Sequence, residues 1–392
     1  MTTPDTSTTR LPWDAEDPFP YYERRRRDGD VAWDDALGSW LILGYRPGQE
    51  ILGGAGWTSD PLANPNVPSA LRAFGRDSLR RNLLFTDGPN HTRLRGAVRD
   101  VFTRSFIVGL EEGVNAIASD IIDHIPSGVE FDFMSEIALP LPSSIAAAWL
   151  GLDVDSARLL DKELPAVSRM NLNFDDVDAV DAGMAAFAVL LTELLPLAAN
   201  RRTHPGDDLL SFIAADPELE LDDVVITALI IADAGRPTTA NLLGSAMIRL
   251  LSPGVGGIRP VDEVDTAIDP LITELLRLDS PVQAVTRTAT QDHHINDVTI
   301  RAGETAVVVL GAANRDPAVF NQPDELRLNR PGPAPLTFGY GAHFCLGAAL
   351  ARLEITTALR RVVARQPALC NQPIWQDTPA IRGPLTVPMT FA

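Results

Sequence analysis

The sequence predicts a mainly α-helical chain with small β-sheets, folded as one large domain. Three observations carry this. Apolar residues recur at three- and four-residue spacing over long stretches, short alternating apolar segments interrupt them, and no Ser/Gly linker, low-complexity tract or internal repeat divides the chain. The helical spacing runs through Ile107–His124, Ser135–Leu150, Ala179–Asn200, Leu221–Leu251 and Gly347–Arg365. Trp40-Leu41-Ile42-Leu43 and Thr305-Ala306-Val307-Val308-Val309 read as strands. The run Pro253-Gly254-Val255-Gly256-Gly257 breaks the chain after the longest helix, which predicts a short or irregular segment there.

At 392 residues a length prior alone would favour two or three domains. With no internal boundary in sight, residues 1–14 are expected to be a disordered polar tail and 15–392 a single domain. Hydrophobic residues make up 45% of the chain, ample for a core. The start is Thr-, Asp- and Pro-rich and no apolar run approaches the ~18 residues of a spanning helix, so neither a signal peptide nor a membrane segment is expected. Two distant cysteines give no disulfide framework and suit a reducing, cytoplasmic setting. A net charge of -19 argues against nucleic acid or an anionic membrane as partner. Lys162 is the only lysine. The positive charge is therefore arginine, with Arg352, Arg360, Arg361 and Arg365 on one predicted helix and Arg99 and Arg104 as further members of a basic patch. Arg24-Arg25-Arg26-Arg27 reads as a solvated face.

The most specific chemistry lies in Phe338-Gly339-Tyr340-Gly341-Ala342-His343-Phe344-Cys345-Leu346-Gly347. One cysteine sits in a glycine-bounded loop that opens directly onto a helix, where backbone N–H groups face its sulfur and favour the thiolate. Gly341 and Gly347 let backbone approach a flat macrocycle, Phe338 shields the sulfur, and His343 is placed to donate to a carboxylate of the bound group. That set builds a thiolate ligand for haem iron. The plainer alternative, a buried free cysteine acting as a small hydrophobe, explains neither the glycines nor the aromatic at fixed offsets; it does fit Cys370.

The loop resembles the haem-binding segment of the cytochrome P450 family, Phe-x-x-Gly-x-His-x-Cys-x-Gly, with every specified position filled. Glu274-Leu275-Leu276-Arg277 resembles the family's Glu-x-x-Arg signature, and Arg330 its second arginine. In isolation that pair would be an exposed i, i+3 couple of small value. The resemblance spans essentially residues 15–392. It implies the family's triangular single-domain fold, with haem b between the long oxygen-binding helix and the helix after the cysteine. It also implies Cys345 as iron ligand and a propionate clamp of His91, Arg95, Arg287 and His343, four donors for two carboxylates.

One departure stands out. Ala234-Gly235-Arg236-Pro237-Thr238-Thr239 aligns with the oxygen-binding groove, but Pro237 occupies the position of the acid. Proline has no N–H, so a kink or widening is expected there. Either the proline merely sets the bulge of this helix, with protons arriving through water and Thr238, or delivery is rerouted through Asp233 for a reaction other than hydroxylation. The resemblance implies a haem-thiolate monooxygenase using O2 and two electrons from a ferredoxin and its NAD(P)H-dependent reductase, since no redox module follows Ala392. The expected substrate is a medium-sized, largely apolar small molecule such as a natural-product intermediate. The expected lining is Trp57–Leu84, Met170–Asp178, Ile230–Thr238, Val282–Val285 and Gly383–Val387. Oxidative coupling or desaturation stays open as the alternative reaction. A non-catalytic helper would tend to lose the cysteine, and a haem sensor would need an output module.

Overall fold

The computed structural model describes residues 11–392 except 66, 68–71, 73–78, 173–175 and 253–259. The segment Pro253–Gly257, expected to be irregular, lies outside the described residues. The packed chain begins earlier than the expected boundary at residue 15. Trp13 is 4% exposed and its indole N–H donates to the carbonyl of Pro379 at 2.8 Å, so Leu11–Asp14 join the domain.

The two predicted strands are both present and are neighbours. Ser39–Ile42 pairs in parallel with Thr305–Val309, Trp40 opposite Ala306 and Ile42 opposite Val308. They sit inside a five-stranded sheet in the order Val31–Asp34, Ser39–Ile42, Thr305–Val309, Ala284–Ala289, Trp57–Thr58, whose other pairings are antiparallel. All five residues of Thr305–Val309 are buried, which explains its unbroken apolar run. Arg26 belongs to this assembly rather than to a solvated face, donating to the carbonyls of Leu43 (3.2 Å) and Ala312 (2.7 Å).

The remainder is helical. The long helix Leu221–Leu251 has the bounds that its periodicity predicts. It starts with a capping box of Glu220 and Asp223, and Arg81 and Arg93 clamp the buried Asp223 carboxylate at 2.7 and 2.8 Å. No widening occurs at Pro237: the α-helix is unbroken to Leu251, held by buried residues from Thr239 through Met247. A π-turn lies elsewhere, at Met134–Ala138, directly before Pro140–Trp149. The predicted helix Ile107–His124 is split, because Gly109 closes Arg104–Val108 before Glu111–Ile122 begins. Val177–Thr203 lies against Val154–Leu172 and is long and apolar enough, by length and composition, to cross a membrane, contrary to the expectation of no such segment. Its Ala179, Gly183, Ala186, Leu190 and Leu194 face the domain, and Gly183 lies so close to Met170 that a side chain there would collide with it.

Glu274 and Arg277 lie on Ile268–Leu278, and they are not an exposed pair. Arg277 is 1% exposed; its Nε and Nη2 donate to the Glu274 carboxylate at 2.7 and 2.9 Å. Arg330 Nε donates to both oxygens at 3.0 Å and the Arg327 N–H to one at 2.9 Å. Burial works to raise the Glu274 carboxyl, but these donors win and hold it below its ordinary value. Arg277 also donates to the carbonyls of Asn314, Pro323 and Glu325, stapling an irregular segment to the helix. Removing one partner of such a network strands the other charges. Glu274→Ala is therefore expected to cost about 3–5 kcal/mol in equilibrium denaturation; a loss below about 1 kcal/mol, the range of an exposed pair, would contradict this reading.

Candidate functional site

The network around Glu274 continues into the cysteine loop. Asn314 Oδ1 accepts from the Leu336 N–H at 2.6 Å, and its Nδ2 donates to Thr337 Oγ1, which donates to the Leu276 carbonyl. Next in the chain, the Phe338 carbonyl accepts from the Cys345 N–H at 2.8 Å, closing the loop. Gly339 (φ 71°) and Gly341 (φ 75°) take the left-handed turns. At Gly341 a Cβ would also meet the Leu52 carbonyl at 2.6 Å, so the loop is seated on Tyr45–Gly53. The helix Ala348–Ala364 then begins with Gly347 at its cap.

Burial pushes the Cys345 thiol up, against the Gly347 N–H and the charge of Arg95. The Gly347 N–H at the helix start and Arg95 thus favour the thiolate as expected while burial opposes it; a coordinated metal ion would add the decisive charge, since a coordinating thiol is deprotonated outright. Cys370 is exposed rather than buried.

The site fits a flat anionic macrocycle on three observations. Gly347 and Gly235 each face open space, and a Cβ placed on either would meet nothing within 4 Å. Ala234 and Gly235 are exposed in the middle of a largely buried helix. His91, 5% exposed, has an Nε2 without a hydrogen-bond partner among the described residues. An orphaned buried nitrogen of this kind calls for a ligand group. The His91 ring lies 4.3 Å from that of His343, and burial, with the charges of His343 and Arg95, pushes it down to about 4, so it is neutral.

Arg95 and Arg287 reach the same neighbourhood. Arg95 Nη2 donates to the Phe344 carbonyl at 2.7 Å and acts on both His91 and Cys345 by charge. Arg287 Nη1 donates to the carbonyl of its neighbour Thr286 at 2.7 Å and also acts on His91. His343 is not free as expected: its Nε2 contacts Asp87 Oδ1 at 2.8 Å and Ser59 Oγ at 3.2 Å, leaving Nδ1. Asp87 was missed by sequence reasoning. Burial opposes its ionisation, but His343, Thr58 and the Ser59 N–H hold it far below its ordinary value. Its only sequence signal is a position before a Gly-Pro helix start.

On the long helix, Thr238 Oγ1 donates to the Ala234 carbonyl at 2.7 Å. Asp233 does not join it. Its carboxyl accepts from Ser168 Oγ and from Asn171 Nδ2 at 2.8 Å, both on Val154–Leu172, so it points toward that helix and not into a relay with Thr238. A different acid approaches the groove. Glu354, buried on the helix after the cysteine, is bonded by Thr239, and burial pushes its carboxyl up to about 8. As a lone acid at apolar spacing it gave only a weak sequence signal.

A cavity of about 210 Å³ lies between the long helix and the pair Val154–Leu172 and Val177–Thr203, bounded by Arg81, Asn82, Met170, Asn171, Ile230 and Asp233 from the expected lining. Much of residues 57–84 falls outside the described residues. A larger hollow of about 960 Å³ lies beside Arg249, Asp279, Trp375 and Arg382, and none of the expected haem-holding residues borders it. The expected basic patch divides. Arg361 pairs with Asp123 at 2.6 Å and Arg365 donates to the Ile122 and Ile125 carbonyls, closing Glu111–Ile122. Arg352 lies over the Phe338 ring and donates to Thr273 Oγ1 at 3.3 Å. Arg99 pairs with Asp100, whereas Arg104 and Arg360 are exposed.

Comparison with known proteins agrees with this geometry. Residues 267–366 match the family model described as cytochrome P450. The vitamin D(3) 25-hydroxylase of Pseudonocardia autotrophica is 32% identical over 96% of this chain and 94% of its own length. Among solved structures, P450BioI in complex with an acyl carrier protein bearing hexadec-9Z-enoic acid superposes with a TM-score of 0.87 at 26% identity, over 96% of this chain and 98% of that one. CxnD, a cytochrome P450 for C–S bond formation in chuangxinmycin biosynthesis, superposes at 0.83 with 26% identity, over 95% and 94%. Members of this family bind haem through a cysteine thiolate, and the cysteine loop, the buried Glu-Arg-Arg network and the whole-chain likeness together make this chain an oxidoreductase of the cytochrome P450 family.

Proposed function

We propose that this enzyme oxidises a medium-sized, largely apolar small molecule, a natural-product intermediate, with Cys345 as the protein ligand to haem iron. The orphaned Nε2 of His91 beside the Cys345 loop carries the reading most directly, because it needs a partner that the described residues do not provide. The haem, when bound, supplies O2 activation with two electrons, favoured by thiolate ligation. His91, Arg95 and Arg287, with the remaining nitrogen of His343, hold its carboxylates. Asp87 fixes His343 from behind. Thr238 Oγ1, donating to Ala234, keeps its lone pairs available to accept from an ordered water and so holds a proton donor at the groove. Pro237 supplies no proton, and Glu354 beside Thr239 is the nearby buried acid.

Electrons are proposed to come from a small ferredoxin and its NAD(P)H-dependent reductase. Arg104 and Arg360, exposed on two helices that pack together on the cysteine side, are the charges proposed to dock it. A second reaction, oxidative coupling or desaturation, is favoured by one observation, the loss of the groove acid at Pro237. The likeness to CxnD is consistent with it.

In a reconstituted system with a surrogate ferredoxin and reductase, Cys345→Ser should abolish substrate-dependent O2 consumption while Cys370→Ser keeps it; the reverse pattern would end this reading. Thr238→Ala should raise the peroxide released per NAD(P)H consumed, and Pro237→Glu should shift products toward hydroxylation. Fully coupled Thr238→Ala turnover would leave the hydroxyl without a role. Charge reversal at Arg104 and Arg360 should slow reduction and flatten its salt dependence, since exposed charges act over about 10 Å at ordinary ionic strength. Unchanged stopped-flow kinetics would make these arginines a solvated face.

A further inference from the structure

Asp233 is an acid without a cation at contact distance among the described residues. Its two contacts, Ser168 Oγ and Asn171 Nδ2, are neutral donors, and they leave part of the carboxylate's acceptor capacity unused. The guanidinium groups nearby make their contacts elsewhere, Arg236 acting on Asp233 only by charge from beyond contact distance. Arg81 pairs with Asp223 and Glu220 at 2.7 Å each, and Arg236 donates to Ser143 Oγ at 2.8 Å and lies 3.9 Å from Asp161. The cavity that Asp233 borders has an apolar wall of Val167, Met170, Phe187, Leu191 and Ile230, and Arg81, which also lines it, is neutralised by its pairs with Asp223 and Glu220. Its rim carries a second acid, the exposed Asp222. A carboxylate in such surroundings needs a partner, because an unpaired charge withdrawn from water is costly.

We infer that this cavity is a recognition subsite for the protonated amine of an otherwise apolar substrate, with Asp233 as its acceptor and counter-ion. This rests on the oxidase reading above and narrows the substrate class. Ser168 and Asn171 fix the carboxyl at the cavity wall with acceptor capacity to spare, and Leu191 and Ile230 cover the hydrocarbon. Asp233 is thus a specificity-determining residue, not a proton relay. The net charge of -19 also favours approach of a cation over an anion.

The test is isothermal titration calorimetry of the haem-loaded protein with three probes of one size: N,N-dimethylcyclohexylamine, isopropylcyclohexane and 1-cyclohexylethanol. The amine should bind about tenfold or more tightly than either neutral probe, as expected for a hydrogen bond between charged groups. The isosteric Asp233→Asn should erase that preference, and Asp233→Leu should reverse it toward isopropylcyclohexane. Equal binding of amine and alcohol, or a preference that survives Asp233→Asn, would overturn the assignment; so would a haem spectrum showing that the amine nitrogen binds iron instead. The ferric haem spectrum of each variant reports separately on the thiolate site, so failure of the oxidase reading would be seen there even with the amine preference intact.

Discussion

The cysteine side of the site hangs from one buried carboxylate. Glu274 gathers Arg277, Arg330 and the Arg327 N–H, and Arg277 in turn fixes the carbonyls of an irregular segment that has no sheet or helix of its own to hold it. From Asn314 the hydrogen bonds pass to Leu336 and Thr337 and, one residue on, to the carbonyl of Phe338 that closes the Cys345 turn. A loop carrying a metal ligand has to be rigid, and loops seldom are by themselves. Here rigidity is imported from a helix core about seventy residues upstream in the chain.

The same handling of charge shapes the opposite side. Acids that could interfere are each assigned a partner: Asp223 is clamped by Arg81 and Arg93, Asp87 by His343, Thr58 and Ser59. Asp233 toward the cavity and Glu354 beneath the groove lack a cation at contact distance among the described residues, and burial raises both. The thiol of Cys345 is raised as well. A bound metal and a bound substrate are what would complete the thiol and Asp233.

How far the sequence reached follows from the range of the interactions. The long helix, both central strands and the cysteine loop were legible because their signals are local: periodicity, alternation, and glycines at fixed offsets from Cys345. Trp13 was misjudged because its partner, Pro379, lies at the far end of the chain. Asp87 and the contacts of Asp233 were invisible for the same reason. Ile107–His124 reads as one helix although it is two, because a single Gly109 carries little weight against apolar spacing on both sides. The widening expected at Pro237 is absent because the buried turns from Thr239 onward keep the α-helical ladder going past the residue that lacks an N–H.

The central claim is that this scaffold presents Cys345 as a thiolate to haem iron. The absorption spectrum of the reduced, CO-bound protein tests it most directly. A thiolate-type band in the wild type that is lost in Cys345→Ser and kept in Cys370→Ser is the predicted result; a spectrum of the kind given by a nitrogen-ligated haem in the wild type would contradict it.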